Sequence, residues 1–469
     1  MVTTHSRESM SAFEHTRPAS VWAAESHRVP QPTLVDDSSC DLLVVGGGLG
    51  GLWAALRASE RHPEWTIQLI EAERVAGAAS GRNGGFVSYS LTHGLANGYS
   101  RWPEELEQLE RLGMRNLEEY EADVERYGID CGFVRSGKIL LATEPYQVSG
   151  VASAAALSAR FGRTLTPLTS TEVRDRVNSP TYLGGLWDPT GTALVDPVRL
   201  AEGLLSVLLK RGVHVAENTP GLDLRRRGDR VAVTTPYAQI HARRVVLATS
   251  AFTPLLARLR LAAIPVYDYA IATEPLSPAT LDSIGWRDRE GLTDSANQFH
   301  YYRLTDDNRL LWGGYDAIYH YGSKVSPELD QRPETFRTLA DHLLTTFPQL
   351  DGVKIGHSWG GVVDSSTRFN AFYGTALRGQ VAYVLGHTGL GVGSSRFSAD
   401  VLVDLLDQSE TERTRLKMVR SQPVPFPPEP VRSVGVNLTR RSMAKADRQE
   451  GRRDLWLKSM DALGIGFDS

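Results

Sequence analysis

The chain has 469 residues, enough to bury a sizeable core and to divide into two or three domains. Its 51 Lys and Arg nearly balance 55 Asp and Glu, a formal net charge of -4, so nothing points to nucleic acid or an acidic membrane surface as a partner. The two cysteines, Cys40 and Cys131, have no metal or redox spacing, and no apolar run reaches signal-peptide or membrane-spanning length; the expectation is a reduced cytoplasmic chain without a metal site.

Residues 1–39 read as an extension draped on the surface, with Trp22 as an anchor. Asp41-Leu-Leu-Val-Val45 then reads as a buried strand that breaks at Gly46-Gly-Gly-Leu-Gly-Gly51 into an apolar helical pattern. A second strand, Thr66–Ile70, ends on Glu71. Gly46, Gly48 and Gly51 fit G-x-G-x-x-G in its full strand, helix and strand context. The first glycine permits the turn, the second lets backbone approach a pyrophosphate, and the third lets helix and strand pack closely. The amides from Leu49 onward and the positive helix end suit the phosphates, and Glu71 suits both hydroxyls of an adenosine ribose. An acid there disfavours a 2'-phosphate, so FAD or NAD is expected over NADP.

The next stretch, Ala78-Ala-Ser-Gly-Arg-Asn-Gly-Gly-Phe86, is too rich in glycine for a regular element. It reads as a backbone wall against a flat ring system, with Ala79, Ser80, Arg82, Asn83, Gly84 and Gly85 as its candidate contacts. Residues 101–127 carry helical periodicity, and Phe133–Thr143 reads as a strand pair around Ser136-Gly137. Asp196 is an N-cap candidate for a helix from Val198 to Arg211, followed by a strand over 212–216. Arg243–Thr249 reads as a further buried strand. Ile264–Tyr315 is the most aromatic part, read as strands with a hairpin at 305–308 that roof a pocket. Gly356–Gly361, then Val381–Gly393 with a helix from Arg396 to Leu406, repeat a strand, glycine turn and helix pattern without a second dinucleotide fingerprint. The end is a proline run over 423–430 and a basic helix from Thr439 to Met460.

The pairing of G-G-G-L-G-G with A-A-S-G-R-N-G-G-F resembles the D-amino-acid oxidase superfamily, on the branch with glycine oxidase, sarcosine oxidase and gamma-glutamylputrescine oxidoreductase. The resemblance runs from about Asp41 to Leu406. It implies an α/β fold in which a Rossmann-type FAD-binding domain (residues 40–95, 148–255 and 350–410) interleaves with a smaller α+β substrate domain (96–147 and 256–349) built on a mixed antiparallel sheet. The extension 1–39 and a strap and helix over 411–469 flank them. It further implies FAD contacts at Gly221, Ala248, Thr249, Gly389, Leu390, Gly391 and Val392. Some relatives hold flavin covalently through a histidine in the loop matching 79–86; Arg82 and Asn83 stand here instead, which implies non-covalent FAD. Tyr302–Gly314 matches a substrate-domain signature, and Trp312 falls where monomeric sarcosine oxidases have an oxygen-activating lysine.

The resemblance implies oxidation of the C–N bond of a small amine or amino acid, with oxygen or another molecule as electron acceptor; it leaves room for a homo-oligomer. Tyr302, Arg303, Trp312 and His357 are the catalytic candidates, with Arg303 a guanidinium clamp for a carboxylate or phosphonate, and His387 a further acid or base candidate. The alternatives are a flavin monooxygenase, an NAD-linked flavoprotein reductase and a non-catalytic flavin-binding protein. The missing second fingerprint and cysteine pair weigh against the reductase.

Overall fold

The computed structural model describes residues 12–466; residues 1–11 of the expected extension lie outside the described residues. Strand Ser38–Val45 closes on Leu42-Leu-Val-Val45, buried on both faces, as a central parallel strand requires. It pairs in parallel with Ile67–Ile70 on one side and Gln239–Leu247 on the other. The sheet runs, in order, Phe372–Ala376, Val381–Leu385, Gln239–Leu247, Ser38–Val45, Ile67–Ile70, His214–Ala216. Asp223–Arg227 and Arg230–Thr234 extend it as an antiparallel meander from Gln239–Leu247. Helices Leu49–Arg61, Pro197–Lys210 and Gly391–Leu406 pack in its largest apolar core, and Asp196 caps the second, its Oδ1 accepting from the amides of Val198 and Arg199 at 2.9 Å each.

A second eight-stranded sheet runs Ile355–Ser365, Ile264–Thr273, Leu310–Gly314, His300–Leu304, Gly291–Asp294, Lys138–Ala142, Gly184–Asp188, Thr166–Thr169. It is antiparallel except between Gly291–Asp294 and Lys138–Ala142. Its outer face packs Tyr182, Tyr302, Trp312 and Phe347 with helix Pro333–Thr346 into a separate core. The other face looks toward the first sheet, and the space between them is the site described below.

Three strands fall in this sheet although their residues were expected in the FAD-binding segments: Thr166–Thr169, Gly184–Asp188 and Ile355–Ser365. The last reads as a glycine turn in sequence but is an eleven-residue strand. Its glycines are packing positions, since a Cβ on Gly360 would sit 2.8 Å from the Tyr269 ring and one on Gly361 would meet Arg82 Cβ at 3.2 Å. The expected strand pair at 133–143 is one strand, Lys138–Ala142, with only an isolated bridge from Val134 to Leu194. The C-terminal helix is two, Val431–Arg448 and Leu455–Ala462, because Gly451 turns at φ 75° and Asp454 starts a new helix by accepting from the Leu457 amide. Among the described residues no helix is long and apolar enough to cross a membrane. Cys40 and Cys131 are buried free thiols, and burial pushes each pKa up to about 12.

Candidate active site

The glycine turn is built by exclusion of side chains. Gly46 has φ 113°, and a Cβ there would lie 2.4 Å from the Ala248 carbonyl oxygen; a Cβ on Gly51 would lie 1.8 Å from the Gly46 carbonyl oxygen. Helix Leu49–Arg61 therefore starts directly above the C-terminal ends of two parallel strands, with Gly48 as its N-cap. Glu71 is held beside the turn, its Oε2 accepting from the Gly47 amide at 2.6 Å and Oε1 from the Glu73 amide at 3.0 Å. Burial raises its pKa while those amides act against the shift.

The loop after Glu71 folds back onto this helix end. Ser80 Oγ accepts from the Leu49 amide at 2.9 Å, and Asn83 braces the loop internally: its Nδ2 donates to the carbonyls of Ala79 and Ser80 and its Oδ1 accepts from the Gly85 amide. Arg82 reaches across to the second sheet, pairing with Asp330 and donating to the carbonyls of Gly77 (2.9 Å) and Gly360 (3.3 Å). From behind, the N-terminal segment pins the same loop: Ser20 Oγ donates to Gly81 O and Trp22 Nε1 to Asn83 O, both at 2.8 Å. Trp22 is buried against Val198, Ala270, Leu311 and Trp359, so the expected surface anchor is a core contact. Trp22→Phe keeps most of that packing but removes the donor; thermal melts should show a loss of about 0.5–1.5 kcal/mol, with weaker FAD retention in dialysis.

These parts border a cavity of about 730 Å³ between the sheets. Of the expected cofactor contacts, Gly48, Leu49, Ala79, Ser80, Arg82, Asn83, Gly84, Ala248, Gly389, Leu390, Gly391 and Val392 line it. Gly46, Gly51, Gly85 and Gly221 instead permit close packing behind the wall, while Glu71 and Thr249 stand off it. Helix Gly391–Leu406 aims its N-terminus at the cavity, where amides without intrahelical partners and a positive helix end can face negative charge. The residues present fit a dinucleotide with a flat ring: a glycine turn for phosphates and a loop for the ring line the cavity, with the acid Glu71 held behind the turn.

None of the four expected catalytic residues lines this cavity. Strand His300–Leu304 alternates, and Tyr302 points into the outer core, its hydroxyl 2.9 Å from that of Tyr182. Trp312 pairs with Tyr302 in register and stacks on it at 4.2 Å, so it occupies no oxygen-activating position over the cavity. Arg303 is buried, donating to Val195 O at 2.8 Å and lying 5.4 Å from the Trp22 ring, which leaves it no substrate to clamp. His357 is covered by the N-terminal segment, its Nδ1 3.2 Å from Ala19 O. His387 does line the cavity, with Nε2 3.2 Å from Ser398 Oγ, and burial lowers its pKa.

The cavity wall carries other chemistry. Tyr301, the neighbour of Tyr302 on the opposite face, packs over Gly84 and Gly313, where no Cβ would fit beneath its ring. Its hydroxyl donates to Asp268 Oδ2 at 2.7 Å. Enclosure pushes the Asp268 pKa up to about 6, opposed by the bonds from Tyr301 and the Tyr269 amide. Lys138, Asp188, Asp294 and His93 also line the space. Burial pushes the His93 pKa down to about 4. The sequence signal for Tyr301 and Asp268 was strand parity, which needs a known core face to be read.

A family model described as FAD dependent oxidoreductase (DAO) matches residues 41–405. The chain belongs to this family. It is 31% identical to gamma-glutamylputrescine oxidoreductase of Escherichia coli (strain K12) over 417 residues, 85% of this chain and 91% of that protein. It is 26% identical to sarcosine oxidase subunit beta of Rhodobacter capsulatus, covering 69% of this chain and 74% of that one. The fold is similar to that of glycine oxidase from Geobacillus kaustophilus, with a TM-score of 0.69 at 20% identity over 82% of this chain and 99% of that chain. This FAD-dependent oxidoreductase is thus an enzyme with mixed sheets arranged as in its structural relatives.

Proposed function

We propose that this enzyme oxidises the C–N bond of a small amine or amino acid, with FAD held non-covalently in the cavity and the imine released to hydrolyse to an aldehyde or oxo acid. The carrying observation is the meeting, in one cavity, of the glycine turn, the 79–84 loop and the Gly391 helix end with the Tyr301–Asp268 pair. The names of the Escherichia coli and Rhodobacter capsulatus relatives, gamma-glutamylputrescine and sarcosine, support an amine substrate. Among residues 79–86 no histidine is present to bond the ring, which supports non-covalent FAD.

FAD, when bound, supplies a two-electron acceptor for the carbon bearing the nitrogen. The protein's part is to present that carbon with its nitrogen neutral. An amine arrives mostly as ammonium, and the enclosed wall disfavours that charge. Asp268, ionised above about pH 6, stands where it can take the departing proton, and Tyr301 orients the carboxylate while its ring covers Gly84. The Gly391 helix end favours added negative charge nearby.

Anaerobic mixing of the purified holoenzyme with polyamines, N-methyl amino acids, D-amino acids and aminophosphonates tests this reading. Bleaching of the flavin absorbance by one class is expected, and acid precipitation should leave the flavin in solution. Admitting air then separates an oxidase from a dehydrogenase. No bleaching by any amine, with NADPH consumed instead, would replace the reading by a monooxygenase.

A further inference from the structure

Lys138 opens strand Lys138–Ala142 and stands on the cavity wall. Among the described residues its half-buried ammonium, facing the cavity, has neither a hydrogen bond nor an ion pair, an uncommon state for a charge on an enclosed wall. The carboxylate opposite it in register, Asp188, is already committed: both oxygens accept from Arg163 Nη2 at 2.5 Å, and Oδ1 also accepts from the amides of Thr190 and Gly191. Beside that pair, Glu110 accepts from the Tyr89 hydroxyl at 2.8 Å, and burial raises its pKa. The cavity's Asp294 is bonded to His300. Burial lowers the Lys138 pKa, Asp188 acts against that shift and Arg163 adds to it.

The position of Lys138 relative to Tyr301 follows from register. Tyr301 faces Thr293, Thr293 faces Leu140, and Lys138 is the next residue along on the same sheet face as Leu140. The two side chains are therefore two strands apart, on the order of 10 Å, and side chains on one face stand roughly parallel. Between them the wall is Thr293 and Leu140, while Leu186 lies beyond Leu140 on the next strand, where Ala154 and Leu157 of helix Pro145–Arg160 also reach the cavity. The cavity thus has a Tyr301–Asp268 pole, an apolar middle and a cationic pole.

We propose that Lys138 binds a carboxylate at the far end of the substrate, so that the preferred substrates are amines whose opposite end, several methylenes away, is anionic. This rests on the amine-oxidation reading for the reacting end and on Lys138 alone for the other. An α-carboxylate, two bonds from its nitrogen, does not span the two poles.

Three six-carbon probes test it on the holoenzyme: 6-aminohexanoate, its isomer 2-aminohexanoate, and hexylamine, with hexanoate as a redox-inert ligand followed by calorimetry. In the unaltered enzyme 6-aminohexanoate should reduce the flavin at lower concentration than the other two, and hexanoate should bind. Lys138→Met should cut hexanoate affinity about ten- to hundredfold and bring the ratio of 6-aminohexanoate to hexylamine affinity toward one; Lys138→Arg should restore most of the preference. Equal affinity for 6-aminohexanoate and hexylamine in the unaltered enzyme, or a loss in Lys138→Met shared by both, would overturn the proposal. Should no amine reduce the flavin, the oxidation reading fails, and hexanoate binding still decides: dependence on Lys138 supports the carboxylate site, and independence removes it.

Discussion

Gly51→Val should yield protein that retains little FAD and melts several degrees below its parent. The added Cβ would fall 1.8 Å from the Gly46 carbonyl oxygen and 3.2 Å from Val44 Cγ1. Both neighbours belong to the first strand and its turn, which are buried between two other strands and cannot yield. The helix start must move instead, carrying its free amides away from the place proposed for the phosphates. The cost is on the order of 3 kcal/mol or more, which for a chain of 469 residues lowers Tm by roughly 3 °C or more, before the loss of bound FAD adds to it. Gly50→Ala is the internal control. Its Cβ would meet only Ala248 Cβ, at an ordinary 3.8 Å, so the fold should melt within about 1 °C of the parent. A flavin-to-protein absorbance ratio and a thermal scan decide the matter; parental FAD content in Gly51→Val would remove the packing role given to this glycine.

That this unit was legible from sequence, while the catalytic wall was not, has a physical reason. The glycine turn is a local device: strand, turn, helix and acid lie within Asp41–Glu71, and each residue's role follows from its immediate neighbours. The second sheet depends on pairings between distant segments, such as Gly291–Asp294 beside Lys138–Ala142. Until those pairings are known, the aromatic run Phe299–Trp312 does not say which face is core. A shift of one residue exchanges the faces, so the resemblance that pointed to Tyr302 and Trp312 carried no information on which face they take, and the cavity face belongs to Tyr301. Arg303 and His357 failed differently. Both are covered by the N-terminal segment, through Trp22 and Ala19, whose docking no local pattern announces. Lys138 and Asp268 are single charges within apolar strands, and such residues become informative only once the cavity side is known.

Asp268→Asn should lower the rate of flavin reduction by about a hundredfold to ten-thousandfold while making the protein more stable at neutral pH. The groups acting on this carboxyl are the Tyr301 hydroxyl, the Tyr269 and Gly314 amides and the charge of His300, all of which favour ionisation, against an enclosure that disfavours it more strongly. With a folded pKa of about 6 against an ordinary 3.8, the native state holds a proton that the unfolded chain releases in that interval. The protonated group therefore favours folding below the ordinary value, and this contribution is lost as pH rises through about 6. At pH 7.5 the enclosed carboxylate is a net burden, and asparagine, which cannot ionise, should relieve it by on the order of 2 kcal/mol. Melts at pH 4 should show no such gain. The proposed proton transfer needs the opposite form: the reductive rate should rise with pH through about 6 in the parent, and that limb should vanish in Asp268→Asn. Tyr301→Phe retains the ring but removes a bond that favours the carboxylate, so the limb should move to higher pH. A variant that keeps both its rate and its acid limb after Asp268→Asn would move the proton acceptor elsewhere on the wall, with His387 the next group to substitute.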